Sequence, residues 1–161
     1  MINQKFFKPT LLVLGTNMIS GRTSDHSRQP VSESFKRIET TNRMANGILR
    51  KYYVATKHEF QASWDLLPHA KSNTVDGFMG ALDLKAFYDA NYGAFDLTIV
   101  SGQLAKPGDF AYEHPADAPT GQRKSFAATK YLVHFTDFSL EIAKRGQSYD
   151  MYNVSMSMEE I

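Results

Sequence analysis

The clearest pattern of apolar and polar positions lies near the end of the chain, in two runs of strict alternation. The apolar positions are Phe138, Leu140 and Ile142 in the first run, and Tyr152, Val154, Met156 and Met158 in the second. A period of two places alternate side chains on opposite faces of a strand. The connection between the runs contains Gly146. Together they predict an antiparallel hairpin with one buried face.

Further strands are predicted upstream of this hairpin. Residues 48–54 are strand-like, and Phe60, Ala62 and Trp64 alternate with polar side chains before Pro68 ends the run, since proline cannot donate to a central ladder. Short apolar stretches at 11–14, 96–100 and 131–136 add three more candidates. The pattern therefore predicts six or seven strands.

One helix is predicted over residues 77–91, with Thr74 or Asp76 as its N-terminal cap and Gly93 after its end. Its apolar residues fall on one side at helical spacing: Phe78, Met79, Leu82, Ala86 and Ala90. The predicted fold is mainly β (α+β), an antiparallel β-sandwich or barrel with one packed α-helix and long polar loops. A length of 161 residues suits a single domain, 1–161.

Two polar stretches interrupt the predicted strands. Residues 15–41 contain few large apolar side chains and are too long for an ordinary loop of a compact domain. We interpret them as an extended arm that becomes ordered against a neighbouring chain. Residues 102–121 form a second polar loop, in which three prolines favour an extended backbone.

Composition narrows the classes of function. The net charge of +1 excludes a strongly basic chain, so a surface for phosphates would have to be local. The absence of cysteine excludes disulfides, thiolate nucleophiles and cysteine-ligated metal sites. The longest early apolar run, 11–14, is too short for a signal peptide or a membrane span. We therefore expect a soluble protein made in a reducing cytoplasm, with no membrane contact.

Local motifs predict no catalytic, cofactor or metal site. The five histidines, His26, His58, His69, His114 and His134, show none of the spacings that place two ligands on one face of a strand or helix. There is no Gly-x-Ser-x-Gly elbow, and the glycines after residue 14 lack the Gly-Lys-Ser/Thr ending of a phosphate loop. A triad assembled from distant residues stays open, but the prediction is a protein that is not an enzyme.

Basic side chains concentrate in the first third of the chain. They are Arg22, Arg28, Arg37, Arg43, Arg50 and Lys51. We interpret these six as candidate subunit-interface residues that bridge to acidic patches of a neighbour. The same residues, with the strand aromatics Tyr52, Tyr53 and Phe60, also allow an alternative function as a nucleic-acid-binding β-barrel module.

Several segments resemble minor tail proteins of bacteriophages. They read Asn-Arg-Met-Ala-Asn-Gly-Ile-Leu-Arg-Lys-Tyr at 42–52, Phe-Gln-Ala-Ser-Trp-Asp-Leu-Leu-Pro at 60–68 and Thr-Val-Asp-Gly at 74–77. Leu-Lys-Ala-Phe-Tyr at 84–88 and the closing hairpin at 137–160 are similar as well. The resemblance spans residues 40–160 and covers tail-tube, distal tail and baseplate proteins alike.

The resemblance implies a tail-tube-like fold and a structural role. Such proteins form rings, commonly hexamers, whose sheets line a channel for the genome. Carried over, it implies that the strands near 48–64 and 138–160 form the ring wall, with 15–41 as the inter-subunit arm and 102–121 as a contact loop. The implied partners are copies of this chain and other tail or baseplate proteins, and the genome passes without specific binding. The implied location is the phage tail of the virion, after synthesis in the cytoplasm of the host bacterium.

Overall fold

The computed structural model describes residues 11–17, 20–112 and 126–161, and within them the protein is mainly β. The seven strands are β1 Leu11–Leu14, β2 Ser32–Arg43, β3 Leu49–Pro68, β4 Phe95–Leu104, β5 Ala111–Tyr112, β6 Phe126–Lys144 and β7 Met151–Glu160. One α-helix, α1 Ala81–Ala90, and a single 3₁₀ turn, Lys71–Asn73, lie between β3 and β4. The mainly β prediction with one helix is confirmed.

The strands form one antiparallel sheet in the order β1-β4-β6-β7-β3-β2, and β5 pairs with β6. The predicted C-terminal hairpin is confirmed by its register, in which Phe138 lies opposite Met156 and Leu140 opposite Val154. The separate strand predicted at 131–136 is continuous with the first strand of this hairpin, because β6 runs through both. The strand ending predicted at Pro68 is also confirmed.

The core lies on the inner face of this curved sheet. Its largest fully buried side chains include Trp64 and Phe60 of β3, Leu97 of β4 and Leu12 of β1. These side chains belong to one cluster with Val154, Met156 and Met158 of β7. Since β1 and β3 are not neighbours in the sheet order yet share this cluster, the sheet curls around it.

Residues 20–31 hold the curled sheet together, so they are not the free arm expected from their polarity. At one end, Leu14 N–H donates to Gly21 O and Thr23 N–H donates to Leu12 O, which extends the sheet beyond β1. At the other end, Gln29 N–H donates to Ser63 O, beside β3. Residues 32–41 of the expected arm belong to the exposed strand β2, and their contact with a neighbouring chain stays a prediction.

A buried polar cluster fixes residues 20–31, which we call the closing segment. Asp76 accepts hydrogen bonds from Ser24 Oγ at 2.9 Å and from Asp25 N–H at 2.8 Å. Asp25 lies 3.5 Å from Arg22 and 3.3 Å from Arg28, whose side chains are only 6% and 3% exposed. Arg22 also stacks over the Phe78 ring at 4.1 Å. The cluster satisfies charges that the sequence pattern assigned to a surface.

The Asp25 carboxyl predicts a pH dependence of stability. Burial raises the pKa of Asp25 above its ordinary value of 3.8, although Arg28 and Arg22 oppose this and Asp76 adds to it. A raised folded-state pKa means that the native state binds the proton more tightly than the unfolded state. Stability from this group is therefore complete below pH 3.8 and declines as pH rises through the folded pKa.

The measurement is urea unfolding of the wild type and of Asp25→Asn at a series of pH values that begins below 3.8 and rises to neutral pH. We expect the wild type to lose stability relative to the variant as pH rises, because only the wild type titrates at this position. A constant difference between the two free energies of unfolding at all pH values would contradict this assignment.

The helix exists as predicted but begins later and packs differently. Its N-terminal cap is Gly80, whose N–H donates to Asp83 Oδ2 at 3.1 Å, so the predicted caps Thr74 and Asp76 are wrong. The Asp76 carboxylate instead accepts hydrogen bonds from Ser24 and Asp25 of the closing segment. A Cβ at Gly80 would lie 2.7 Å from Pro68 O, so only glycine allows this close approach. Ala81 and Leu84 are the buried helical residues, whereas Leu82, Ala86 and Ala90 are exposed.

Candidate assembly surface

The β2–β3 hairpin projects away from the rest of the sheet. Pairing between β3 and β7 begins at Glu59, so residues 49–58 pair with β2 alone. Every residue of β2 is exposed, and large apolar side chains of the hairpin stand in solvent, with Phe35 64%, Val54 71% and Tyr52 78% exposed. A two-stranded ribbon without a covered face is marginal by itself. This ribbon is therefore a surface suited to contact with another molecule.

An aromatic cluster fixes the base of the hairpin. The His58 ring lies 4.9 Å from Phe35 and 5.0 Å from Tyr131, and Tyr131 lies 4.9 Å from Phe60 in the core. His58 Nδ1 is 3.1 Å from a Glu33 carboxylate oxygen. Burial raises the pKa of Tyr131, and Glu33 and Glu160 raise it further. This cluster connects the hairpin to the core and limits its orientation.

The described part of the sheet leaves two long strand edges without a partner strand. β2 pairs only with β3, which leaves its outer edge free over residues 32–43. β6 pairs with β4 only as far as Val133, so its residues 134–144 have β7 on one side and no strand on the other. By contrast, β1 is bordered by residues 21–23. The four strands β6-β7-β3-β2 thus form a four-stranded ribbon, and neither of its outer edges has a partner strand among the described residues.

The outer face of this four-stranded ribbon has an uneven charge. Strand alternation places five carboxylates on it, opposite the core side chains: Glu59, Asp65, Asp137, Glu141 and Glu159. Serines lie between them, and Ser139 hydrogen bonds Ser155 at 2.7 Å. Residues 59–68, 134–143 and 151–160 contain no lysine or arginine. This part of the face is polar and acidic.

The hairpin carries the opposite charge. Residues 32–58 contain six basic and two acidic side chains, a net charge of +4, whereas the whole chain is +1 and the remainder is therefore −3. Four of the six candidate interface residues, Arg37, Arg43, Arg50 and Lys51, lie together on this exposed hairpin. The assignment of Arg22 and Arg28 to an interface is corrected, because both are buried in the cluster around Asp25.

Sequence reasoning missed this hairpin although a local signal for it exists. Asn46-Gly47 lies at the tip, where Gly47 has φ +84° and Met44 N–H donates to Ile48 O. The loop has three residues, 45–47, and a glycine at positive φ in its last position is a common hairpin signal. By itself this signal does not predict a hairpin, because residues 15–41 show no alternation that marks a half-buried strand.

The histidines and acidic residues of the described ranges form no metal-binding group. No group of three His, Asp or Glu side chains there is arranged to hold a metal ion. His69 stacks on Tyr149 at 6.0 Å and His26 Nδ1 accepts from Val75 N–H at 3.4 Å. His134 lies opposite Glu159 in the sheet. His114 and the second part of the predicted contact loop, residues 113–121, lie outside the described residues.

A surface cavity of about 320 Å³ lies beside the connection between β6 and β7. Its lining includes His69, Ser148, Tyr149 and Asp150. Among the described residues, His69 Nδ1 has no hydrogen-bond partner, so it is not joined to Ser148 or Asp150. The expectation that this protein is not an enzyme therefore stays a prediction.

Comparison with known proteins does not assign a family. Neither the models of known protein families nor the curated proteins match this chain. Over residues 11–17, 20–112 and 126–161, no helix is long and apolar enough to cross a membrane. The candidate function therefore rests on the surface itself and on the resemblance carried by the sequence.

Proposed function

We propose that this protein is a structural subunit that assembles with copies of itself into a ring of a bacteriophage tail. The observation that carries the proposal is the free edge of β2, twelve exposed residues of strand with no second partner among the described residues. Free edges of this length promote pairing with other chains unless they are blocked or covered.

Ring closure joins the two free edges of neighbouring subunits. The β2 edge of one copy, residues 32–43, pairs with the β6 edge of the next copy, residues 134–144. This contact uses two different surfaces, so it repeats around an axis until the ring closes. Each closure removes both open edges, and the resemblance to tail proteins favours six copies.

The outer face of the ribbon suits the wall of a genome channel. Its five carboxylates and its serines would repel or only weakly contact the phosphates of DNA, which fits passage without specific binding. The resemblance at residues 40–160 supplies the tail assignment, and tube, distal tail and baseplate rings remain alternatives within it. The proposed location is the tail of the virion, after synthesis in the bacterial cytoplasm.

Sedimentation of the wild-type chain at micromolar concentration tests the proposal. We expect ring-sized oligomers, either alone or after mixing with other tail proteins, and negative-stain images with a central channel. A sharp monomer peak under both conditions would overturn the proposal. A dimer with no larger species would also contradict it, because the two edges would then pair without forming a ring.

A further inference from the structure

We infer that the outer face of the β2–β3 hairpin binds the sugar-phosphate backbone of nucleic acid without sequence preference. This goes beyond the proposed structural function and does not require ring formation. Cross-strand register places Lys36 opposite Lys57, Thr40 opposite Tyr52 and Asn42 opposite Arg50. Alternation along β2 places these three pairs on the same face. We call this set the basic hairpin face.

The Lys36–Lys57 pair is the first argument for an anionic ligand. Like charges directly opposite each other on neighbouring strands destabilise the pair. Lys36 lies 3.8 Å from Glu59 and remains exposed, and Lys57 donates to the Ile161 carbonyl oxygen. The weak local compensation is consistent with a site at which a phosphate would relieve the repulsion.

The two faces of the hairpin differ, which is the second argument. On the opposite face, Lys51 lies 2.9 Å from Glu39 and His58 lies 3.1 Å from Glu33, so its three basic side chains, Arg37, Arg43 and Lys51, are partly balanced by two carboxylates. From Lys36 to the tip, the basic hairpin face contains no carboxylate. Of the net charge of +4 on residues 32–58, +3 lies on the basic hairpin face and +1 on the opposite face.

The chemistry of the face favours nucleic acid over an acidic protein. Lysine and arginine contact phosphate, Thr40 and Asn42 can donate to phosphate or sugar oxygens, and the largely exposed Tyr52 ring offers a stacking surface. From Lys36 to Asn42 the strand spans about 20 Å, and a two-stranded ribbon fits the major groove of a duplex. In a closed ring with this face inward, the contact would lie at one rim of the channel, beyond the acidic part of the wall.

Fluorescence anisotropy with a 20-base-pair duplex at increasing salt tests the inference. The test variant combines Lys36→Gln, Arg50→Gln and Lys57→Gln. The matched control combines Lys71→Gln, Lys106→Gln and Arg145→Gln, which removes the same charge from exposed positions outside the hairpin. We expect the test variant to lower the slope of log K against log salt by about 3 and to weaken binding at low salt at least about tenfold. The control should bind nearly as the wild type does.

Two outcomes would overturn the inference: no binding by the wild type at low salt, and an equal loss in the control variant. The first of them has a special case, in which the wild type does not bind DNA and the test variant also loses self-assembly. This case would assign the face to another copy of this chain and leave the proposed function standing. Conversely, DNA binding by a protein that stays monomeric would support this inference and overturn the ring. The unfolding midpoint of each variant checks that its fold is intact.

Discussion

Thr41→Pro is expected to convert assembled protein into monomers without unfolding it. Thr41 lies in β2, on the edge that we propose to pair with a neighbouring copy. Proline has no N–H, so it cannot donate to a strand of another chain. We expect sedimentation at micromolar concentration to show mostly monomer, with an unfolding midpoint close to that of the wild type.

The choice of Thr41 follows from the hydrogen-bond pattern of the hairpin. Met44 N–H points towards β3, because it donates to Ile48 O at 2.9 Å. Successive residues of an antiparallel strand direct their N–H groups alternately to either side. Thr41 is three positions away, so its N–H points to the free side. Proline there removes a donor from the outer edge and none from the β2–β3 ladder.

Two further variants separate edge pairing from loss of the hairpin. Thr41→Val keeps the N–H and the strand propensity, so it should assemble as the wild type does. Asn42→Pro removes an N–H that faces β3, so it should disturb the hairpin itself. If Thr41→Pro assembled normally while remaining folded, pairing through the β2 edge would be excluded.

Trp64→Ala is expected to lower the free energy of unfolding by about 4 kcal/mol, near the upper end for a single core substitution. Trp64 is fully buried, and its Nε1–H donates to Ser24 O at 2.8 Å. The substitution leaves a large cavity and also releases the closing segment from β3. Urea unfolding followed by far-ultraviolet circular dichroism measures the loss, since the variant lacks the only tryptophan.

Trp64→Phe separates the two contributions. It keeps most of the buried ring but leaves the Ser24 carbonyl without its indole donor, so we expect a smaller loss of about 1–2 kcal/mol. The Trp64→Ala variant should therefore be clearly less stable than Trp64→Phe. Equal losses in the two variants would show that the hydrogen bond, and not the packing, dominates at this position.

The alternation of apolar residues determined where the half-buried strands lie. Phe138, Leu140, Val154 and Met156 were placed on one hairpin face from spacing alone, and the register confirms it. A strand with one face in the core must bury every second side chain, so its sequence shows the period directly. Pro68 likewise ended β3 as predicted, because its missing N–H is a local property.

The same signal is absent where neither face of a strand is buried. β2 is exposed along its whole length, so burial requires no period of two and its polar sequence predicts an extended arm instead of a strand. The Asn46-Gly47 turn was the local evidence for the hairpin, and its meaning depended on recognising both flanking strands. The sequence alone therefore predicted an extended arm at 15–41, whereas the structure shows an exposed hairpin that begins at residue 32.

Only the tertiary structure decided which charged side chains are buried and which are exposed. The sequence predicts Arg22 and Arg28 on the surface, but both side chains lie buried beside Asp25. The Asp25 backbone in turn donates to the distant Asp76. The sequence predicts Asp76 as a helix cap, but its carboxylate oxygens accept hydrogen bonds from residues about fifty positions earlier in the chain. Partners so far apart in sequence meet only after the sheet has curled. Local spacing determined the elements of this protein, whereas long-range pairing decided which of its polar residues are structural and which remain free to meet another molecule.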